Sequence, residues 1–453
     1  MQDEIFDVGA FIDKRRVGAV QLTVMALCAA IMTVDGYDVF VMGFLLQPIA
    51  HSFGVSPAAI TPVFVVQSVG LALGSWVVSP LADRYGRRRL LLASAVLFGA
   101  LTLAATQASS VDELVALRFA AGLFYGSLIP NAIAITVEYA PERLRATMVN
   151  WMFIGYTAGA ASGGAVAAFL VGKYGWQSAF WVGGLVPLCF AVILYFALPE
   201  SIRFCVLRNG RDPRIPGLLR RIDPSLELTG TERFMLEEPA ATGMPAAALF
   251  RDGRAAITML IWLAYFMNIL VITVLGAFLP TFLRNFGALS FEQAAGVTSF
   301  YSISGIAAML VYGRLIDLYG APKVITLTGI VAAAAVASLG LIDLQSPWLY
   351  LVTFFVGAGV IAGQGGLHAL SSMTYPTQMR ATGVGWAVGA GRVGGMLGPL
   401  LGGAALAGHW DAFPAFLAAG LPMLLVAAAT CLIGFILAPA AKPAPRLADE
   451  MTK

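Results

Sequence analysis

Two carboxylates stand inside a long apolar stretch near the start of the chain. Asp35 and Asp38 are separated by Gly36 and Tyr37 in an otherwise apolar run, 19–47. Residues three apart lie on the same side of a helix, so the two carboxylates would be neighbours. A carboxylate held away from water can take up and release a proton as its surroundings change. The pair predicts a proton-binding site, with the alternative that either Asp pairs with an arginine to hold two helices together.

Two arginines also fall inside apolar segments. Arg118 is expected near the depth of Asp38, so a pair with Asp38 or with Asp35 is geometrically reasonable. Arg392 lies among glycines near the middle of the run 382–407, and the interiors of the neighbouring runs in the second half lack acidic residues. A buried guanidinium needs an anion, and its fork matches a carboxylate. The counter-ion is therefore either Asp or the substrate, which indicates an anionic substrate; an ion pair that gates the interface is the alternative.

Composition defines the environment in which these groups act. Of 453 residues, 59% are hydrophobic and only 12% are charged, whereas a soluble domain carries about 25% charged residues. This excludes a soluble enzyme, a nucleic-acid-binding protein and a disordered chain. The 4 cysteines share no metal-ligand spacing, so we expect no metal, no cofactor and no disulfide framework. The chain belongs in a lipid bilayer.

Twelve stretches are long and apolar enough to cross a bilayer, which takes about 20 residues. They are predicted at 19–47, 59–82, 89–108, 112–137, 146–172, 177–198, 255–282, 291–313, 323–342, 347–371, 382–407 and 412–437. We expect an all-α membrane protein with a segment 1–18, a six-helix bundle 19–198, a polar linker 199–254, a second six-helix bundle 255–437 and a tail 438–453.

Lys and Arg predict how the chain is oriented. Nearly all basic residues outside the predicted helices lie on one side of the membrane, in the amino-terminal segment, the linker, the tail and the 2–3, 4–5, 8–9 and 10–11 loops. The loops on the opposite side hold only Lys173 and Arg284. The side that carries the amino-terminal segment, the linker and the tail is called the basic side below. Basic residues favour the cytoplasm, so both termini are expected there.

The two halves share a loop motif. Asp83 and Gly86 in the 2–3 loop recur as Asp317 and Gly320 in the 8–9 loop, at the same spacing and with a Tyr between them. A charged turn on the basic side could explain one copy, but two copies in register favour a duplicated fold. Repeated halves around a midplane site are typical of secondary transporters.

The 2–3 loop resembles the Gly-x-x-x-Asp-Arg-x-Gly-Arg-Arg signature of the major facilitator superfamily, with Ser79 at the first position. The second copy keeps Gly313 but has Leu318 at the basic position. The resemblance implies two pseudo-symmetric six-helix bundles and a loop that acts in conformational switching. The residues expected in switching, including two at helix ends, are Asp83, Arg84, Gly86, Asp317, Gly320, Glu138 and Arg145.

Within that superfamily the chain is similar to the aromatic acid:proton symporters. The match rests on Asp35-Gly-Tyr-Asp38, Tyr375-Pro-Thr377 and Gly389-Ala-Gly-Arg392. It implies proton-coupled import of benzoate, a hydroxybenzoate or a related acid across the bacterial inner membrane by a monomer, with Asp35 and Asp38 in proton coupling. The expected substrate contacts are Arg392, Arg118, Tyr37, Trp386 and His368.

Two other functions are alternatives to import. A proton-driven antiporter that exports drugs or aromatic compounds would share the fold, but the fifth run lacks the Pro of the antiporter signature. A membrane-embedded enzyme or a sensor is disfavoured by only 3 His, by the lack of paired metal ligands and by a linker too short for a signalling domain.

Overall fold

The chain is helical along most of its length. A computed structural model describes residues 4–228, 232–236, 245–251 and 253–437. The predicted tail 438–453 lies outside the described residues, as do small parts of the linker.

Spans 1 to 6 form the first bundle. Spans 1, 3 and 6 are the helices Ala19–Phe53, Arg87–Ala104 and Gln177–Ala197. The other three are built from consecutive pieces. Span 2 comprises Pro57–Leu73, the π-helix Gly74–Val78 and Leu81–Tyr85. Span 4 comprises Val111–Tyr125 and Leu128–Tyr139. Span 5 comprises Arg145–Val166, the π-helix Ala167–Val171 and Gly172–Tyr174.

Spans 7 to 12 form the second bundle. They are the helices Ala255–Gly287, Phe291–Tyr319, Ala321–Ser338, Trp348–Thr374, Arg380–Ala407 and Ala412–Leu437. Short 3₁₀ turns at Ala105–Gln107, Glu142–Leu144 and Thr377–Met379 follow span 3 or precede spans 5 and 11.

Ten of these spans are long and apolar enough to cross a membrane on composition alone, within the part of the chain that is described. Spans 5 and 11 are both rich in glycine, and span 11 also holds Arg392. Small residues let helices approach closely inside a membrane. The glycines of spans 5 and 11 let these helices pack closely on spans 1 and 7, while Phe169 and Leu400 farther along them remain exposed.

Spans 1 and 5 pack backbone against backbone beside the two carboxylates. A Cβ at Gly36 would lie 1.8 Å from the carbonyl oxygen of Tyr156, and one at Gly159 would lie 1.9 Å from that of Thr33. Any side chain larger than hydrogen would push the two helices apart. This contact brings Tyr156 next to Asp35.

The two bundles meet on the basic side, along spans 2 and 11 and along spans 5 and 8. Ser79 Oγ donates to the carbonyl oxygen of Ala381 at 3.0 Å in the first interface. Trp151 Nε1 donates to the carbonyl oxygen of Leu310 at 3.1 Å in the second. The structure is closed on this side.

The amino-terminal segment and the linker fold together beneath the first bundle. Strand β1 (Glu4–Asp7) pairs in parallel with β2 (Glu232–Met235), with Glu4 opposite Glu232. The ring of Phe6 lies 5.6 Å from that of Phe234, centroid to centroid. Short helices complete this layer at Val8–Lys14, Ile202–Arg208, Arg214–Ile222 and Pro245–Ala248.

Candidate functional site

A buried polar cluster surrounds Asp38 inside the first bundle. Arg118 Nη2 of span 4 lies 2.7 Å from Oδ1 and 2.8 Å from Oδ2 of Asp38. Gln67 of span 2 donates to Asp38 Oδ2 at 2.6 Å and accepts from Arg118 Nε at 3.2 Å. Arg118 also approaches Thr102 of span 3 and lies over the Phe180 ring of span 6, 4.8 Å from its centroid. Five spans thus meet at one hydrogen-bonded ion pair.

Tyr37 belongs to the same interior. Its hydroxyl donates to the carbonyl oxygen of Ala179 in span 6 at 2.8 Å, and its side chain is buried. Arg118 is buried completely. The structure therefore does not bring Tyr37 or Arg118, two predicted substrate contacts, to Arg392.

Asp35 faces a different part of the molecule. Three residues along a helix correspond to a turn of about 300°, so Asp35 and Asp38 point about 60° apart. Asp35 Oδ2 lies 3.6 Å from Arg392 Nη2, across the interface between the bundles. Both oxygens of Asp35 are buried, and no described residue forms a hydrogen bond of good geometry with either; the Tyr125 hydroxyl is the neighbouring donor. Asp35 is thus a loosely held carboxylate, whereas Asp38 is a tightly held one.

Arg392 lies at the meeting point of the two bundles. Tyr156 of span 5 hydrogen-bonds its guanidinium, and 17% of its side chain is exposed, against 1% of that of Asp35. On the other face of span 11, a Cβ at Gly394 would lie 2.2 Å from the carbonyl oxygen of Phe266. Close packing on span 7 therefore holds Arg392 toward the interface, where an anion can reach it.

Aromatic rings continue from Arg392 toward the second bundle. Phe153 stacks on Tyr156 with ring centroids 5.2 Å apart and planes at 18°. Its ring also lies 4.6 Å from that of His368 in span 10. One aromatic surface thus connects Tyr156, the partner of Arg392, with His368.

His368 belongs to a buried hydrogen-bonded network. Gln364 Nε2 lies 3.2 Å from His368 Nε2, and Asn268 Nδ2 donates to Gln364 Oε1 at 2.8 Å. Tyr265 Oη lies 2.9 Å from His368 Nδ1 and 2.8 Å from Ser371 Oγ. The Gln364 amide can only donate to Nε2, so the hydrogen of a neutral imidazole is on Nδ1. A neutral His368 therefore has a hydrogen-bond partner at each ring nitrogen.

Trp386, another predicted substrate contact, has both ring faces covered. It stacks on Trp76 of span 2, with centroids 5.6 Å apart, and on Trp262 of span 7, with centroids 5.3 Å apart. No aromatic ligand can stack on Trp386 in this state.

The residues predicted in switching form two interlocks on the basic side. Asp83 Oδ2 accepts from the backbone N and the Oγ1 of Thr382, at 3.0 and 2.8 Å. In the other half, Asp317 accepts from the backbone N of Ala146 at 3.0 Å and of Thr147 at 2.9 Å. Each carboxylate therefore caps the amino terminus of a span in the opposite bundle, where backbone N–H groups lack helical partners.

The capped helices begin alike, with Arg-Ala-Thr at 145–147 and at 380–382. Gly86 and Gly320, which follow the two carboxylates, have φ of 103° and 88°, values that side-chain-bearing residues rarely adopt. The repeat predicted from two loops thus extends to the helices that these loops contact.

Arg87 is the basic residue that this interface uses, in place of the predicted Arg84. Its Nη2 lies 2.9 Å from Asp83 Oδ1 and 3.1 Å from Glu138 Oε1. Arg380 Nη1 approaches the same Glu138 oxygen at 3.4 Å, so Glu138 joins the two bundles. Arg84 is instead exposed, over the ring of Tyr85. The only signal in the sequence was that Asp83 and Arg87 stand close together; Gly86 breaks the helix between them, and the turn brings the guanidinium to the carboxylate.

Arg145 occupies the corresponding helix end in the first half. Its Nη1 lies 3.6 Å from Glu142 Oε1, whose side chain is largely exposed. Across the ranges described, no group of three or more His, Cys, Asp and Glu residues could hold a metal ion.

The comparisons with known proteins agree with this architecture. The sequence profile of the Major Facilitator Superfamily matches residues 26–217 and 261–452. The chain belongs to the major facilitator superfamily. Among solved structures, the proton:xylose symporter XylE of that superfamily superimposes with a TM-score of 0.74 at 18% identity, over 93% of this chain and 96% of the other.

Curated relatives in the superfamily transport aromatic acids. The chain is 36% identical to a 4-hydroxybenzoate transporter, PcaK, of Pseudomonas aeruginosa, over 96% of this chain and 97% of the relative. It is 37% identical to a gallate transporter of Pseudomonas putida, over 93% and 92% of the two chains. A 3-(3-hydroxy-phenyl)propionate transporter of Escherichia coli is 34% identical over 84% of this chain and 86% of the relative.

Over most of its length the chain is thus similar to transporters of 4-hydroxybenzoate and of gallate within the major facilitator superfamily. It is a multi-pass membrane transporter and not an enzyme.

Proposed function

We propose that this transporter imports an aromatic carboxylate together with a proton, and that Arg392 binds the carboxylate. The observation that carries the proposal is the buried carboxylate of Asp35, which lies 3.6 Å from a partly exposed Arg392 and has no hydrogen bond of good geometry among the described residues. A loosely held counter-ion can be replaced by a substrate carboxylate, which fits the guanidinium fork with two hydrogen bonds. The printed functions of the relatives supply the substrate class.

The need to keep the buried site electrically neutral would couple proton binding to substrate binding. The empty site holds Arg392⁺ and Asp35⁻ and is neutral; the loaded site holds Arg392⁺, the substrate anion and a protonated Asp35, and is also neutral. Substrate without the proton, or proton without substrate, leaves a net charge in a buried site, which is costly. Only the empty and the fully loaded forms close readily, so one proton accompanies each carboxylate.

Asp38 has a supporting role in this scheme. Its ion pair with Arg118 lies within the first bundle and is further hydrogen-bonded by Gln67. This contact is complete within one bundle, whereas Asp35 faces the interface where the substrate would bind. We therefore assign proton exchange to Asp35 and the bracing of spans 1, 2 and 4 to Asp38.

Orientation follows from the basic loops. With the basic side in the cytoplasm, both termini are cytoplasmic and the closed side of this structure is the inner one. Arg392 keeps an exposed fraction while the basic side is closed. A partly exposed Arg392 behind a closed basic side supports an outward-facing state, in which substrate would enter from outside the inner membrane. Alternating access would open the basic side by parting spans 2 and 11 and spans 5 and 8.

The Asp83 and Asp317 caps would have to break in that step. Asp83→Asn is expected to weaken the first cap and shift the protein toward the inward-facing state, because an amide oxygen attracts the helix end less than a carboxylate does. A cysteine introduced at Ser79, behind this contact, should react several-fold faster with an impermeant maleimide added from the basic side. Arg84→Ala, at an exposed neighbour, is the control and should leave the rate unchanged. An equal rate in Asp83→Asn would remove Asp83 from the lock.

The function itself is tested by uptake into proteoliposomes. Radiolabelled 4-hydroxybenzoate, gallate, benzoate and 3-(3-hydroxyphenyl)propionate are offered under an inward proton gradient, with and without a protonophore. Accumulation of one acid that the protonophore abolishes is the expected result. Acid-driven exit without accumulation would instead support the exporting antiporter, and movement unaffected by the protonophore would contradict proton coupling.

A further inference from the structure

Three tryptophans form a stacked column across the two bundles. Trp76 and Trp386 are inclined by 25°, and Trp386 and Trp262 by 13°, so the middle indole is sandwiched. Trp76 belongs to the first bundle, on the π-helix Gly74–Val78 of span 2, whereas Trp386 and Trp262 belong to the second. π-helical segments inside membrane helices are frequent at functional sites.

The column lies on the route from Arg392 to the basic side. Trp386 precedes Arg392 by six residues on span 11, which is about 9 Å along the helix toward the basic side. A ligand released from Arg392 to that side must pass the level of Trp386. The column is thus the inner boundary of the Arg392 site in this state.

The contact between Trp76 and Trp386 is close and has little polar reinforcement. Trp76 Nε1 donates to the carbonyl oxygen of Trp386 at 3.3 Å, a long hydrogen bond. A Cβ at Gly389 would lie 2.0 Å from Trp76 Nε1, so the indole fits only against glycine. Trp76 would leave with span 2 when the basic side opens, while Trp262 would stay on Trp386.

We propose that the face of Trp386 covered by Trp76 becomes a second ring-binding subsite when the basic side opens, and that it holds the aromatic carboxylate on its way to the cytoplasm. This inference rests on the proposed function. An indole face freed by the departure of one aromatic ring is suited to receive another of similar size. The Nε1 groups of Trp386 and Trp262 are buried and donate to none of the described residues. They could therefore donate hydrogen bonds to the carboxylate of a bound substrate.

Pseudo-symmetry provides a matched control. Trp151 stands in span 5 where Trp386 stands in span 11, six residues after the Arg of Arg-Ala-Thr in each case. Trp151 Nε1 donates across the other interface to Leu310. Trp151 therefore lies at the bundle interface at the same depth as Trp386, but its neighbour across the interface is Leu310, whereas the neighbour of Trp386 is Trp76.

The test measures binding from each side separately. The half-saturation concentration for substrate exchange is measured in right-side-out and in inverted membrane vesicles. The substrate is 4-hydroxybenzoate, or gallate if that is the acid carried. Trp386→Leu is expected to raise the half-saturation concentration about five- to tenfold at the basic side and less than twofold at the opposite side, because it removes one ring-stacking partner. Trp386→Phe should restore most of the loss. Trp151→Leu should change neither value by more than about twofold.

The other outcomes distinguish a failure of the subsite from a failure of the proposed function. An equal rise on both sides, or no rise at the basic side, would overturn the subsite while leaving proton-coupled import intact. Wild-type vesicles that exchange none of the aromatic carboxylates would instead overturn the proposed function. Trp76→Leu keeps the subsite and should leave the basic-side value within about twofold; a rise as large as that of Trp386→Leu would show that the column matters only as packing. If Trp386→Leu does not fold, Trp386→Met, which has a flexible chain and no ring, takes its place.

Discussion

Arg392→Lys is expected to lower the apparent affinity for the aromatic carboxylate by about 10- to 100-fold. Lysine keeps the positive charge, and with it the neutral empty site, but it loses the planar fork that gives two parallel hydrogen bonds to a carboxylate. A hydrogen bond to a charged group contributes about 1.5–3 kcal/mol, which corresponds to that range of affinity. The measurement is the concentration dependence of initial uptake in proteoliposomes under a fixed inward proton gradient.

Arg284→Lys is the matched control for this substitution. Arg284 is exposed in the last turn of span 7, so the same chemical change should leave the affinity within about twofold. If Arg392→Lys bound the substrate as tightly as the wild type, Arg392 would be a gate residue paired with Asp35 and the carboxylate would bind elsewhere.

Asp35→Asn is expected to abolish accumulation while preserving exchange. Asparagine is neutral, as a protonated Asp35 would be, so the form loaded with substrate beside Arg392⁺ stays neutral and can reorient. The empty form then carries an uncompensated buried guanidinium and returns slowly. Net uptake should stop near equal concentrations on both sides, whereas exchange of labelled for unlabelled substrate should continue at a rate within about threefold of wild type. Both quantities are measured with the same vesicles, with and without protonophore.

Asp38→Asn should behave differently, because its carboxylate is committed to Arg118. Removing one member of a buried ion pair costs about 3–5 kcal/mol, so the expected result is a lower yield of folded protein and a lower unfolding temperature in detergent. A stable Asp38→Asn protein that exchanges but does not accumulate substrate would transfer the proton-coupling role from Asp35 to Asp38. Accumulation by Asp35→Asn at the wild-type level would do the same.

Much of the fold follows from local properties of the chain. The number of spans depends on apolar length, which is a property of about 20 consecutive residues. The duplicated loop motif is visible because Asp83 and Gly86, and again Asp317 and Gly320, stand close together in the sequence. Lengths of individual spans were less predictable. Span 1 continues through Pro48 to Phe53, beyond the predicted end at 47, and stops at Gly54, which has φ of 64°.

The sequence by itself therefore determined the membrane class, the two halves and the set of charged residues inside them, because composition, periodicity and short motifs are local. Only the tertiary structure decided which charges meet. Asp35 and Asp38 are three residues apart, yet a turn of about 60° between them directs one to Arg392 and the other to Arg118. Arg87 replaced Arg84 at the interlock, and Trp386 was covered on both faces, for the same reason: these contacts join residues far apart in the chain, whose side-chain directions depend on how whole helices pack.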